Sequence, residues 1–186
     1  MFDFDLRAVM EHWPVWLVTG TLVVAAVIDG WMLKVPNWLT FPMIATGWAY
    51  STWYFGLEGL GWSLLGTVVG LALLLPLYSI GGMGAGDVKL LAGVGAWVWP
   101  MATLYAFCLS AVLGGVIAML MVLSRRAWRK HSSQFVSIFN EVMTVRCPVQ
   151  LSALAAERKS TMLLLPYGIP IALGSILYFA LSGMLL

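Results

Sequence analysis

Residues 90–123, LLAGVGAWVWPMATLYAFCLSAVLGGVIAMLMVL, hold no charged side chain. As one helix at 1.5 Å per residue this stretch would reach about 50 Å. A bilayer core is only about 30 Å thick and is crossed by about 20 apolar residues. The stretch must therefore break, and Pro100, flanked by Trp97 and Trp99, is the natural place, giving a short span over 88–99 and a second over 101–123. Upstream lies Gly81-Gly82-Met83-Gly84-Ala85-Gly86-Asp87, too rich in glycine to stay a regular helix. Before it come apolar spans at 13–33, 38–57 and 62–80. Lys34-Val35-Pro36-Asn37 forms the first turn, with Pro36 suited to open the following helix, and Glu58 to Gly61 forms the second. Downstream, a polar segment at 124–160 precedes a last uncharged span at 161–186, whose Pro166 and Pro170 fall in its first turns. The pattern predicts an all-α polytopic membrane protein of about six transmembrane helices, a single embedded domain over residues 1–186.

Composition agrees with that reading. Of 186 residues, 61% are hydrophobic and 10% charged, and the mean hydropathy is +0.92, far from the make-up of a soluble domain. The N-terminus opens with Asp3 and Asp5 rather than a basic run, so the first apolar segment reads as retained rather than as a cleavable signal. Cys108 and Cys147 are isolated and form no CxxC pair, which excludes a disulfide framework or a cysteine zinc site.

Charge then sets the orientation. With six crossings and an outside N-terminus, Lys34, Lys89 and the basic 124–160 loop share one side, leaving Arg7 as the sole basic residue opposite. This is the asymmetry of the positive-inside rule, with both termini outside and the loop in the cytoplasm. Within the loop, Phe135, Ile138, Phe139, Val142 and Met143 follow helical amphipathic spacing. They suit either a helix on an anionic lipid surface or one packed beneath the other crossings. Nothing in the pattern points to nucleic acid.

Asp29 and Asp87 are the only acidic residues at the ends of otherwise apolar spans, and both fall near the cytoplasmic surface. A single carboxylate there can simply reach the headgroups. Two that meet can share one proton, so that one activates a water while the other donates to a carbonyl oxygen. Gly84 and Gly86 either leave room for an extended substrate backbone or permit close helix packing. There is no G-x-S-x-G or H-E-x-x-H segment, His12 and His131 fall on opposite sides, and no metal site or cofactor is expected.

Three separated stretches resemble one known family. Gly84-Ala85-Gly86-Asp87, followed by Val88-Lys89-Leu90, is similar to the GxGD signature of the type IV prepilin peptidases, intramembrane aspartic proteases. Asp29, with Lys34-Val35-Pro36-Asn37-Trp38-Leu39-Thr40 downstream, resembles that family's first catalytic aspartate and its "(I/V)PN-x-LT" segment. Leu165-Pro166-Tyr167-Gly168-Ile169-Pro170 resembles the "PYG" opening of its final helix. The resemblance implies a multi-pass enzyme of the bacterial cytoplasmic membrane that removes the basic leader from prepilins or pseudopilins, cutting after a glycine before the hydrophobic helix. Asp29 and Asp87 would be its catalytic pair, with Gly84, Gly86, Lys89, Pro36 and Asn37 in substrate binding or loop support. Long members of the family carry paired CxxC motifs and also methylate the new N-terminus. Only four residues separate Asp29 from Lys34 here and no CxxC occurs, so the chain resembles the short Flp/Tad-type subgroup, and methyltransferase activity is not expected to follow. A membrane transporter and a catalytically silent pilus or secretion assembly factor are the alternatives.

Overall fold

The computed structural model describes residues 13–79, 82–124 and 166–185. Four helices account for nearly all of them: α1 (Trp13–Met32), α2 (Asn37–Ser79), α3 (Ala85–Ser124) and α4 (Gly168–Leu181). The surface helix expected around 135–143, with the rest of the basic loop, lies outside the described residues. So do residues 161–165 of the last predicted span.

The two long helices are each interrupted by one residue with positive φ. In α2 this is Gly56, at φ 65° and ψ −153°, a region that essentially only glycine occupies without strain. The arms on either side fold back on one another. The Trp48 indole N–H donates a 3.0 Å hydrogen bond to the Thr67 hydroxyl 19 residues on, a separation that would be about 28 Å along a straight helix. The reversal therefore occurs at Gly56 and not over Glu58 to Gly61, which are already helical. One glycine in this conformation turns the chain without a loop.

In α3 the interrupting residue is Trp99, at φ 65° and ψ 175°. Pro100 bars the preceding residue from helical ψ. The unfavourable φ is offset by aromatic packing, for Trp99 meets Phe55 edge-on at 5.3 Å and stacks on Trp62 at 6.4 Å. Here too the arms reverse, since Met83, just before α3, and Gly115, far along it, line one cavity.

The first arm of α3 is the centre of the molecule. Leu90, Leu91, Ala92, Val94 and Ala96 are fully buried, as befits a helix apolar on every side. It lies between the two arms of α2. On one flank Gly66 meets Gly95 and Gly70 meets Leu91 so closely that a Cβ on either α2 glycine would overlap backbone; the Ser63 hydroxyl donates to the Ala96 carbonyl there. On the other flank the Trp97 indole N–H donates to the Met43 carbonyl at 2.9 Å, and Gly47 lies against Ala96. Small residues that let backbones approach are the usual device for helix association in lipid, where hydrophobic burial gives no drive. α4 runs antiparallel to the second arm of α3: Tyr178 stacks on Tyr105 at 5.8 Å, and Pro170 lies near Gly114.

α1, α2 and α3 are each long and apolar enough to cross a membrane. Large apolar side chains face outward along them, with Trp53 86% and Leu57 84% exposed. Such surfaces suit lipid and not water. The protein is thus a membrane protein, all-helical among the described residues. One end is aromatic, where Trp13 meets Tyr50 at 5.2 Å and Trp97 at 6.1 Å. The opposite end holds the acids.

Candidate active site

Asp29 occupies the last turn of α1 and is 2% exposed; Asp87 occupies the first turn of α3 and is 5% exposed. The start of α4 lies against the first of them. The Gly168 backbone N–H donates a 2.7 Å hydrogen bond to Asp29 Oδ2. The neighbouring Tyr167 phenol lies within electrostatic reach of the Asp87 carboxylate. Two acids 58 positions apart in sequence thereby come near one short stretch, Tyr167-Gly168.

Each carboxylate is held by the first turn of a helix. Asp87 Oδ2 accepts the Gly84 N–H at 3.1 Å, and the Asp87 N–H returns a bond to the Gly84 carbonyl at 3.2 Å. This is half of a capping box, with Gly84 as N-cap and Asp87 as the third helical residue. Asp29 does the same for α4 from a distance, accepting the N–H of that helix's first residue. Backbone N–H groups at a helix start carry partial positive charge, so both acids are aimed at favourable dipole ends. Asp87 thus belongs to a helix and not to the glycine-rich turn in which the sequence pattern put it. The turn is confined to Gly82–Gly84 among the described residues.

Gly86 has a packing role. A Cβ there would overlap the Val35 carbonyl, so the missing side chain lets the start of α3 press against the turn before α2. Val35 itself is 2% exposed. At Gly84 the nearest atom a Cβ would meet is Asp87 Oδ2, at 3.2 Å. Pro36 opens α2 as its sequence position suggests, its carbonyl accepting from the Leu39 N–H at 3.2 Å and the Thr40 N–H at 3.4 Å. Lys89 then clamps the two acidic-end motifs. Its ammonium donates to Asn37 Oδ1 at 2.9 Å and sits 4.6 Å from the Phe41 ring centroid. Every residue singled out from the sequence, Asp29, Pro36, Asn37, Gly84, Gly86, Asp87 and Lys89, is at this end of the bundle.

Gly168 and Tyr167 were not among the residues assigned a role. Their signal was present in the Pro166-Tyr167-Gly168 stretch, but nothing in one sequence says that a backbone N–H will meet an acid in the first helix. Gly168 can hold no side chain, since a Cβ would lie 2.9 Å from Asp29 Cβ. Among the described residues no three His, Cys, Asp or Glu side chains gather as metal ligands would.

A helical membrane protein with two buried carboxylates at one end, each fixed by a backbone N–H, has the parts of an intramembrane acid–base catalyst. The model of the type IV leader peptidase family matches residues 16–119, a stretch that includes both acids and the Lys34–Thr40 and Gly84–Lys89 motifs. The chain belongs to that family. Among curated proteins it is similar to the prepilin leader peptidase/N-methyltransferases of Aeromonas hydrophila and Aeromonas salmonicida, 32% identical to each over 116 residues. The similarity covers 59% of this chain and 40% of each relative, so the chain matches less than half the length of those proteins. No solved structure matches it.

Proposed function

We propose that this protein is an aspartic endopeptidase of the bacterial cytoplasmic membrane that removes the basic leader from type IV, Flp/Tad-like prepilins or pseudopilins. The observation that carries the reading is that two buried carboxylates, Asp29 and Asp87, lie at one end of the apolar helices, Asp29 accepting the Gly168 N–H and Asp87 the Gly84 N–H. The membership of the leader peptidase family supports the same reading.

The chemistry follows from the pair. Two carboxyl groups brought together over a substrate hold one proton between them, because ionising both would set like charges together in a water-poor site. The ionised member takes a proton from a water, whose oxygen adds to the scissile carbonyl carbon. The protonated member gives its proton to the carbonyl oxygen. Collapse of the resulting gem-diol breaks the C–N bond as the amine takes up a proton, and the pair returns to its starting state. Which aspartate activates water is a property of the coupled pair and not of either alone.

We assign six crossings to this domain: α1, the two arms each of α2 and α3, and α4, with both termini outside. Lys34 and Lys89 lie at the acidic end, α3 ends there at Ser124, and Glu58 lies at the other. The positive-inside rule then turns the aspartates to the cytoplasm, where a prepilin leader would meet them. The basic segment suits anionic lipid on that side. The N-methyltransferase function in the relatives' name is not carried over to this chain, which has no CxxC pair.

The test is cleavage of an Flp-type prepilin by membranes containing the protein, followed as a shift in pilin size. Asp29→Asn and Asp87→Asn should each abolish the shift at unchanged protein level. The amide oxygen of asparagine can still accept the Gly168 or Gly84 N–H, so the fold has no reason to fail. Full cleavage by either variant would remove that residue from the mechanism. Solute uptake persisting in both would favour a transporter.

A further inference from the structure

A cavity of about 250 Å³ opens between the second arm of α2, the second arm of α3 and the start of α4. It reaches toward the acids: Met83, which immediately precedes the Gly84–Asp87 cap, forms part of its wall, and so does Tyr167, whose neighbour Gly168 meets Asp29 through its N–H. From there it follows α3 from Ala118 back to Phe107, about 16 Å at 1.5 Å per residue. That is about half of a 30 Å bilayer core. Two further cavities lie at the aromatic end, around Trp62 and Trp99, and neither is lined by an aspartate.

Its lining selects an apolar occupant. The Ser110 hydroxyl donates its proton within the protein, to the Ala106 carbonyl at 2.7 Å with the Ile171 carbonyl at 3.3 Å, so it offers no free donor to the groove. Along α3 the wall is built of Ala111, Gly114, Gly115 and Ala118, small enough for another backbone to come close. The two glycines differ. A Cβ on Gly114 would touch Pro170 at 3.4 Å, whereas at Gly115 it would meet nothing within 4 Å. Gly115 therefore faces the open groove and is not spent on packing α4.

We infer that this groove seats the apolar helix of the substrate, so that the peptide bond at the helix's cytoplasmic end is delivered past Met83 and Tyr167 to Asp29 and Asp87. The inference rests on the leader peptidase reading above and adds where the uncleaved part of the substrate sits. Continuity is what favours a peptide helix over a lipid chain. An acyl chain would gain nothing from a wall that leads toward two carboxylates, while a helix lying in the groove carries its own end to them. The volume admits side chains from one face of such a helix, leaving its other face to lipid.

Gly115→Leu adds a side chain to the groove at a position where a Cβ meets nothing within 4 Å. The experiment compares wild type and Gly115→Leu, reconstituted in liposomes, on two substrates: a prepilin with its complete apolar helix, and a peptide that ends a few residues beyond the scissile bond. The quantity read is the ratio of kcat/KM for the long substrate to that for the short one. It should fall at least about tenfold in Gly115→Leu, mainly through KM for the prepilin. A ratio equal to that of wild type would overturn the inference and leave the groove to lipid, even though cleavage itself continued. Absence of cleavage of both substrates by wild type would instead remove the peptidase reading, and this inference with it. A second readout uses Gly115→Cys in a chain whose native Cys108 and Cys147 are replaced by serine. Disulfide formation with a cysteine in the prepilin helix supports the seat, and its absence during active cleavage overturns it.

Discussion

The Gly168 N–H and the Asp29 carboxylate, 139 positions apart in the chain, meet at 2.7 Å. Asp29 lies in the last turn of α1, where unpaired carbonyls present negative charge. The first N–H of α4 supplies the donor that this position lacks within its own helix. The contact also fixes the approach of α4, because the missing side chain of Gly168 is the space that Asp29 occupies. Gly168→Ala should therefore push the carboxylate or the start of α4 aside, its new Cβ lying 2.9 Å from Asp29 Oδ2. Prepilin cleavage is expected to fall about 100-fold, the size of loss that follows a displacement of about 1 Å in a catalytic group. Size-exclusion behaviour in mild detergent should stay that of wild type. Undiminished cleavage would mean that Asp29 is not positioned by α4.

Lys89 joins the helix bearing Asp87 to the start of α2 through Asn37 and Phe41. The side chain is half-buried, so its hydrogen bond and ring contact together are worth about 1 kcal/mol. Lys89→Met should lower thermal stability by about that amount in detergent. The double variant with Asn37→Ala should lose less than the sum of the two single variants, with a coupling of about 0.5–1 kcal/mol. Strict additivity would show that the 2.9 Å contact carries no stability.

Gly56 turns α2 back on itself at a dihedral pair reserved for glycine. A Cβ there would meet no neighbour within 4 Å, so any penalty on Gly56→Ala comes from the backbone alone. About 1–3 kcal/mol of destabilisation is expected, read as a lower melting temperature. The reversal is at the end away from the acids, so kcat on prepilin at low temperature should change by less than about twofold. A melting temperature equal to wild type would show that the turn relaxes freely.

The membrane class, the break beside Pro100 and the acidic end were legible in the sequence because each follows from a local property: hydropathy, a missing N–H, a carboxylate in an apolar run. The reversal at Gly56 was not. Gly56, Gly59 and Gly61 stand close together, and only the backbone reveals which of them has positive φ, so the turn was placed over Glu58 to Gly61. The ambiguity at Gly86 had the same origin. A glycine is silent about what occupies its empty side, and here it is the Val35 carbonyl. The contributions of Gly168 and Tyr167 are long-range: the first is a backbone N–H, which every residue but proline has, and it acquires meaning only once α4 is docked against α1.

Tyr167 lines the groove beside Gly168, within electrostatic reach of Asp87. Those two relations can be separated. Tyr167→Phe keeps the ring, hence the wall, and removes only the hydroxyl. If the hydroxyl orients the Asp87 carboxylate, its loss withdraws one polar interaction worth about 1.4 kcal/mol from the reacting centre, or about tenfold in rate. The expected result is a kcat for prepilin about tenfold lower with KM within about twofold of wild type, since the seat of the apolar helix is untouched. Tyr167→Ala removes ring and hydroxyl together, so KM should rise as well as kcat fall. A Tyr167→Phe enzyme with wild-type kcat would confine this residue to the wall, leaving the orientation of Asp87 to the Gly84 N–H.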